Sequence, residues 1–287
     1  MRVAFAGLGV MGYPMAGFLA AAGHAVTVYN RTREKADSWR AEHGGSITDS
    51  PAAAAAGADI AFSCVGDDPD VTAVVLGADG LLAGIGAGAV IVDHTTASAT
   101  LARQIHEAAA AKGVGFLDAP LSGGQAGAES GQLTIMVGGD PQDYERVLPV
   151  MQCYARACTL IGPAGSGQLA KMANQICIAG VVQGLSEALH FVKRAGLDPA
   201  AVIGAISRGA AQSWQMENRW ETMINNEFEF GFAVEWMRKD LRIALDEAER
   251  NGANLEMTRL VDGFYQEVQA LGGNRWDTSS LIARLEK

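Results

Sequence analysis

The spacing of apolar residues divides this chain into two parts. Up to about residue 161, short apolar runs of strand length alternate with segments whose apolar residues recur every three to four positions. Residues 2–6, 25–29, 59–65, 89–93, 114–117, 132–137 and 157–161 read as strands. Helical spacing appears at Met15, Phe18, Leu19 and Ala22, closed by Gly23, and again over 71–76, 98–112 and 141–153. Strands alternating with helices predict a parallel sheet with right-handed crossovers. After Gly162-Pro163 the strand pattern stops. Helices are expected over about 165–195, 199–208, 214–224, 233–251, 257–270 and 278–285, with Asp198-Pro199 and Asp277-Thr278-Ser279 as capping signals. The long first helix would span roughly 45 Å and tie the two parts together. Its apolar residues lie nearly all round, so it should be buried, and Gly180 and Gly184 would let another helix approach. The expected class is α/β, with a doubly wound domain over 1–162 and an all-helical domain over 163–287.

A length of 287 residues, 49% apolar and 19% charged, suits two globular domains with sizeable cores. The net charge of -10 argues against a nucleic-acid or anionic-membrane surface, while leaving room for a local basic pocket. Cys64, Cys153, Cys158 and Cys177 have no metal-ligand spacing and read as small buried hydrophobes in a reducing cytosol; no metal is expected. Met1-Arg2 runs straight into a strand, so no signal peptide is expected. Lys171, Gln175, Gln183 and Glu187 should interrupt any membrane-length span. The expectation is a soluble cytoplasmic protein with no membrane or nucleic-acid partner.

The candidate chemistry sits mostly where strands end. Gly7-Leu-Gly-Val-Met-Gly12 follows a strand and opens a helix, the context that a G-x-G-x-x-G dinucleotide motif requires. Gly7 permits the turn, Gly9 the approach of a pyrophosphate and Gly12 the packing of helix on sheet. Phosphates would rest on the free N–H groups of the helix start. The other reading is a tight turn with no ligand. The second strand ends in Asn30-Arg31-Thr32, an amide, a guanidinium and a hydroxyl, with no acid for ribose hydroxyls. That set suits a 2′-phosphate and favours NADP(H) over NAD(H), unless Arg31 merely begins the next helix with Thr32 as its cap. Val65, Thr95 and Thr96, at carboxyl ends of strands, are placed to touch a dinucleotide. His94 has no carboxylate partner at a readable spacing and is expected to be structural. Ser122-Gly123-Gly124 offers a hydroxyl and two N–H groups for a carboxylate, or is a plain glycine loop. On the long helix Gln168, Lys171, Asn174 and Gln175 share a face. A buried lysine there, next to an amide, can donate a proton; the alternative is a lysine that runs out to solvent. Lys239-Asp240 reads as a solvated pair.

These blocks resemble the β-hydroxyacid dehydrogenase family, the group of 3-hydroxyisobutyrate dehydrogenase, tartronate semialdehyde reductase and glyoxylate/succinic semialdehyde reductase. The resemblance covers essentially the whole chain. The N-terminal GLGVMG with Pro14-Met15-Ala16 is similar to the family's dinucleotide signature, which brings in Leu8, Val10 and Met11 beside the glycines. Asp118-Ala-Pro-Leu-Ser-Gly-Gly124 looks like its substrate loop, with Leu121 where valine is usual. Gly165-Ser-Gly-Gln-Leu-Ala-Lys171 with Asn174 is similar to its catalytic helix, and Lys239-Asp240-Leu241 after Phe228-Glu-Phe-Gly-Phe232 to its C-terminal motif. The resemblance implies a Rossmann domain joined by the long helix to an all-α domain. It also implies Lys171 as the catalytic residue and Ser122, Gly123, Gly124 and Asn174 as substrate contacts. Thr96 would lie beside the nicotinamide and Lys239 on the cofactor side. The substrate implied is a small carboxylate-bearing aldehyde or hydroxy acid. The hydrophobic interdomain helix and the helical second domain suggest a homodimer or homotetramer. Imine reductases share the glycine motif but generally lack the lysine; a non-catalytic dinucleotide-binding module is the other alternative.

Overall fold

The computed structural model describes residues 1–286. They form two compact units, Met1–Lys171 and Met172 onward. Among the described residues of the first unit, nine strands make one sheet: β1 (Arg2–Ala6), β2 (Ala25–Tyr29), β3 (Ser46–Ile47), β4 (Ile60–Ser63), β5 (Val90–Asp93), β6 (Gly115–Asp118), β7 (Leu121–Ser122), β8 (Leu133–Gly139) and β9 (Ala155–Gly162). The order β3-β2-β1-β4-β5-β6 is parallel throughout. Side chains alternate between two cores: Val3, Phe5, Ile60, Phe62, Val90 and Val92 face one, and Ala4, Ala6, Ala61 and Ile91 face the other. Burying each of the larger side chains contributes on the order of 1.5–3 kcal/mol. Both faces are therefore covered by helices, the condition for a doubly wound sheet.

The far edge corrects the expectation of an all-parallel sheet. β8 runs antiparallel to β6 and β7 along one side, and β9 pairs parallel to β8 on the other. The link from Ser122 to Leu133, holding only the short helix Gly124–Glu129, falls below the dozen or so residues that a parallel crossover needs. The helix Pro141–Met151 gives the next link enough length, and β9 returns parallel to β8. The periodicity over 71–76 also has a different form: the helix Asp68–Val71 continues as a π-helical turn, Thr72–Leu76.

The second unit is helical among its described residues, apart from one isolated bridge between Ala233 and Asp277. The long helix runs over Ser166–Arg194. Beyond it lie Pro199–Ile206, Trp214–Ile224, Val234–Asn251 and Glu256–Ala270, and the closing segment Thr278–Glu286 is a 3-10 helix. Ala179 and Val182 pack with Met237, Leu241, Val261 and Tyr265. Helix Glu256–Ala270 does approach at Gly180, where an added Cβ would lie 2.9 Å from the Met257 methyl; Gly184 faces open space. The long helix is not buried all round, since Ala173, Cys177, Val181 and Gly184 leave an exposed stripe. The expectation that its polar residues break a membrane-length span also needs correction. By length and composition alone the helix could cross a membrane, and 44% of that apolar window is buried inside the protein.

Candidate active site

The glycine turn leaves β1 and enters the helix Gly12–Ala21 as its spacing requires. Gly7 has φ +101, and a Cβ there would meet the Cys64 carbonyl oxygen at 2.2 Å. A Cβ on Gly12 would lie 1.9 Å from the Gly7 carbonyl oxygen. The fold itself thus demands both glycines. Gly9 is different, because nothing lies within 4 Å of a Cβ built on it. Nothing in the protein requires glycine at that position. The helix that follows has no side-chain cap at Met11 and no acid in its first turn, which leaves its N–H groups and dipole for an anion. Val10 is exposed and Met11 half-buried. These residues fit a dinucleotide pyrophosphate. Leu8 serves the fold: its side chain is in the core and its N–H donates to Asn30 Oδ1 at 2.8 Å.

Asn30 is a brace. Besides accepting from Leu8 it donates from Nδ2 to the Thr32 carbonyl, tying the end of β2 to the glycine turn. Arg31 next to it is 87% exposed, with Asp70 at 3.4 Å, a surface pair that holds it weakly. Thr32 sits at the cap position of helix Arg33–His43 but its hydroxyl makes no capping bond. The two polar groups that remain uncommitted to the backbone are therefore a guanidinium and a hydroxyl.

Two buried aspartates organise the ends of β5 and β6. Asp93 Oδ1 accepts from the Ser63 hydroxyl, the Thr95 hydroxyl and the Thr95 N–H at 2.8, 2.8 and 3.2 Å. The Thr95 oxygen in turn accepts from the Val65 N–H, which fixes the end of β4. Burial pushes Asp93 up to about 6 against the pull of Thr95 and Ser63, and the neighbouring Asp118 adds to the rise. Asp118 is likewise raised by burial to about 6, opposed by backbone N–H groups of Gly165 and Gln168. His94 is bonded on both nitrogens, donating from Nδ1 to the Ala119 carbonyl and accepting at Nε2 from the Tyr154 hydroxyl. Burial lowers it to about 4, so it stays neutral and structural. Thr96 follows, half-buried.

Ser122, half-buried on β7, precedes two exposed glycines with φ +131 and +60. Both glycines hold a backbone that other residues rarely adopt. On the long helix Lys171 is 7% exposed, which rules out a lysine run out to solvent. Asn174, half-buried, lies one turn further on and donates to Gln175 Oε1 at 2.8 Å. Gln175 donates to Asp240 Oδ2 at 2.6 Å, and Lys239 Nζ is 3.1 Å from Asp240 Oδ1. Half-buried Lys239 and buried Asp240 are thus not the solvated pair the sequence implied, and they are strung to Asn174 through Gln175. The sequence missed this chain of contacts, although the shared face of Asn174 and Gln175 was a sign of it. No group of His, Cys, Asp and Glu able to hold a metal occurs among the described residues.

Comparison with known proteins agrees with the two-part architecture. Residues 2–162 match the model of the NAD binding domain of 6-phosphogluconate dehydrogenase. Residues 165–285 match that of the NAD-binding region of NADP-dependent 3-hydroxyisobutyrate dehydrogenase. An uncharacterized oxidoreductase of Shewanella frigidimarina is 62% identical over 286 residues, covering 100% of this chain and 98% of the relative. The 2-hydroxy-3-oxopropionate reductase of Escherichia coli is 38% identical, covering 100% of this chain and 97% of its own. The solved 3-hydroxyisobutyrate dehydrogenase of Mycobacterium tuberculosis, with L-serine, is 31% identical and superposes with a TM-score of 0.91 over 100% of both chains. The chain belongs to the β-hydroxyacid dehydrogenase family.

Proposed function

We propose that this protein interconverts a small aldehyde acid and its hydroxy acid using NADP(H) in preference to NAD(H). A bound nicotinamide would exchange hydride with the substrate carbon. The remaining work belongs to side chains of this protein. Lys171 holds a proton at the carbonyl oxygen and releases it as that oxygen gains charge; in the reverse direction it takes the hydroxyl proton. Ser122 and the N–H groups of Gly123 and Gly124 grip the substrate carboxylate, and the Asn174 amide orients the reacting oxygen. Gly7, Gly9, Val10, Met11 and Gly12 line the pyrophosphate turn, with Asn30 and Leu8 bracing it. Val65 and Thr96 border the nicotinamide half, and Lys239 serves the cofactor side. Arg31, helped by Thr32, takes the 2′-phosphate, and the residues that follow β2, Asn30-Arg31-Thr32, include no acid to favour free ribose hydroxyls. Residues 1–162 are the cofactor domain, and 163–287 the substrate and oligomerisation domain of a homodimer or homotetramer.

One observation carries the reading: a lysine 7% exposed, in the second turn of a helix whose first turn is bonded to the ends of β5 and β6. The reductase name of the Escherichia coli relative and the L-serine in the Mycobacterium tuberculosis structure support a short carboxylate as substrate. Lys171→Ala is expected to lower turnover about 10²- to 10⁴-fold. Turnover within about tenfold of wild type, roughly 1.4 kcal/mol in barrier, would remove Lys171 from this role. Steady-state rates for glyoxylate and for tartronate, succinic and methylmalonic semialdehydes, with NADPH and NADH, test the rest. Equal efficiency with NADH sinks the cofactor preference, and silence across the panel sinks the reaction class.

A further inference from the structure

Two buried side chains join the start of the long helix to the sheet and have no part in the chemistry described so far. Asp118, the last residue of β6, accepts the Gly165 N–H on Oδ1 at 2.7 Å and the Gln168 N–H on Oδ2 at 2.9 Å. The carboxylate caps the helix from another element, taking N–H groups that have no partner within the helix. Two glycines leave room for it. A Cβ on Gly138 would lie 2.5 Å from Asp118 Oδ1, and one on Gly167 would lie 2.5 Å from the Asp118 carbonyl oxygen.

Gln168, 1% exposed, uses both ends of its amide. Nε2 donates to the Thr95 carbonyl at 2.7 Å, and Oε1 accepts from the Ala97 N–H at 3.0 Å. The amide therefore straddles Thr96, and a flipped amide would set donor against donor and acceptor against acceptor. Lys171 stands three residues further along the helix, on the same face. A helix can slide along its axis or rotate about it. Asp118 opposes the first movement and Gln168 the second.

We propose that Asp118 and Gln168 are positioning residues that hold Lys171 in register with Thr96 at the end of β5. The proposal rests on the functional reading above, with Lys171 as proton donor. Proton and hydride transfer tolerate little misplacement; an error near 1 Å costs about 100-fold in rate. Gln168→Met keeps the bulk and removes both hydrogen bonds. It is expected to lower kcat about 10- to 100-fold, with NADPH affinity by fluorescence titration near wild type and a lower melting temperature, because the Thr95 carbonyl and the Ala97 N–H lose their partner. In the cofactor-free protein, amide exchange at Ala97 followed by NMR should accelerate, a readout independent of turnover. Gln168→Glu keeps the acceptor for Ala97 and loses the donor to Thr95, so its kcat should fall between. Asp118→Asn should accelerate exchange at Gly165 and Gln168. The Gln168→Met/Lys171→Ala double variant should be no slower than Lys171→Ala alone.

A Gln168→Met kcat within twofold of wild type overturns the proposal. So does a loss that lies wholly in stability or NADPH affinity, or a double variant whose losses simply multiply. Unchanged exchange at Gly165 and Gln168 in Asp118→Asn removes the aspartate from it. Should Gln168→Met fail to fold, Gln168→Glu carries the same readouts. If Lys171→Ala is inactive and Gln168→Met is wild type, positioning fails and the functional reading stands. If Lys171→Ala turns over normally, both fall.

Discussion

Asp93 and Asp118, in the first unit, are held by hydroxyl and backbone N–H groups, whereas Asp240 and Asp277, in the second, each face a cation, which at Asp277 is added to the Phe232 and Ser279 N–H groups and the Ser279 hydroxyl. Lys239 stands 3.1 Å from Asp240, and Arg219 is 3.4 Å from Asp277. Dipoles fix a carboxylate in direction without neutralising it, so burial lifts Asp93 and Asp118 to about 6. A cation on a long flexible stem offsets the charge and fixes direction less well. The first arrangement suits a place where a helix must begin at one defined point. The second suits one where a charge must be kept among packed helices.

The contrast breaks most visibly if the cation is removed. Lys239→Met leaves Asp240, 2% exposed, with Gln175 but without its cation, and should cost about 3–5 kcal/mol in urea unfolding of the cofactor-free protein. A loss under about 1 kcal/mol would show that the pair adds little beyond its hydrogen bond to Gln175. Asp118→Asn comes next. Both oxygens accept backbone N–H groups, so the amide must turn an NH₂ against one of them, at a cost of about 1–3 kcal/mol. Asp93→Asn should be the mildest, because the three donors to Asp93 converge on Oδ1 and a carbonyl can receive them. Its distinctive mark is pH dependence. Asp93 titrates near 6 when folded, above its ordinary 3.8. The wild type therefore has this group's full contribution below about pH 4 and loses it as pH rises through about 6. Relative to the non-titrating variant, it should lose roughly 2–3 kcal/mol across that window. A stability difference that stays flat from pH 4 to 7 would mean that Asp93 is not raised.

The α/β alternation, the glycine turn and the change to helices after Gly162 were legible in the sequence because each is set by local spacing. Strand β8 was read but its reversal was not, though the short link before it, Ser122 to Leu133, held the sign. Helix Arg33–His43 was named only as the next helix, without bounds, for a different reason: it buries little beyond Ala36 and Trp39, and its charged surface hides the period. At the candidate site the shared face of Gln168, Lys171, Asn174 and Gln175 was visible. The destinations were not, since Gln168 bonds to backbone at Thr95 and Ala97, and Gln175 to Asp240. Those partners are distant in sequence and meet only through tertiary packing. Asn30 and Leu8 show the converse, a motif pair whose polar groups turn out to be used on each other.

Gly9 has a practical consequence. With open space where a methyl would go and no left-handed backbone to strain, alanine at position 9 would be invisible to the folding machinery of a cell and to any melting curve. It would be visible only to a ligand whose phosphates have to come within touching distance of that backbone. If the proposed function holds, such a chain should purify and melt like the parent and lose protection by NADPH on heating. That makes it a matched blank, against which every other variant's loss of activity can be separated from simple failure to bind.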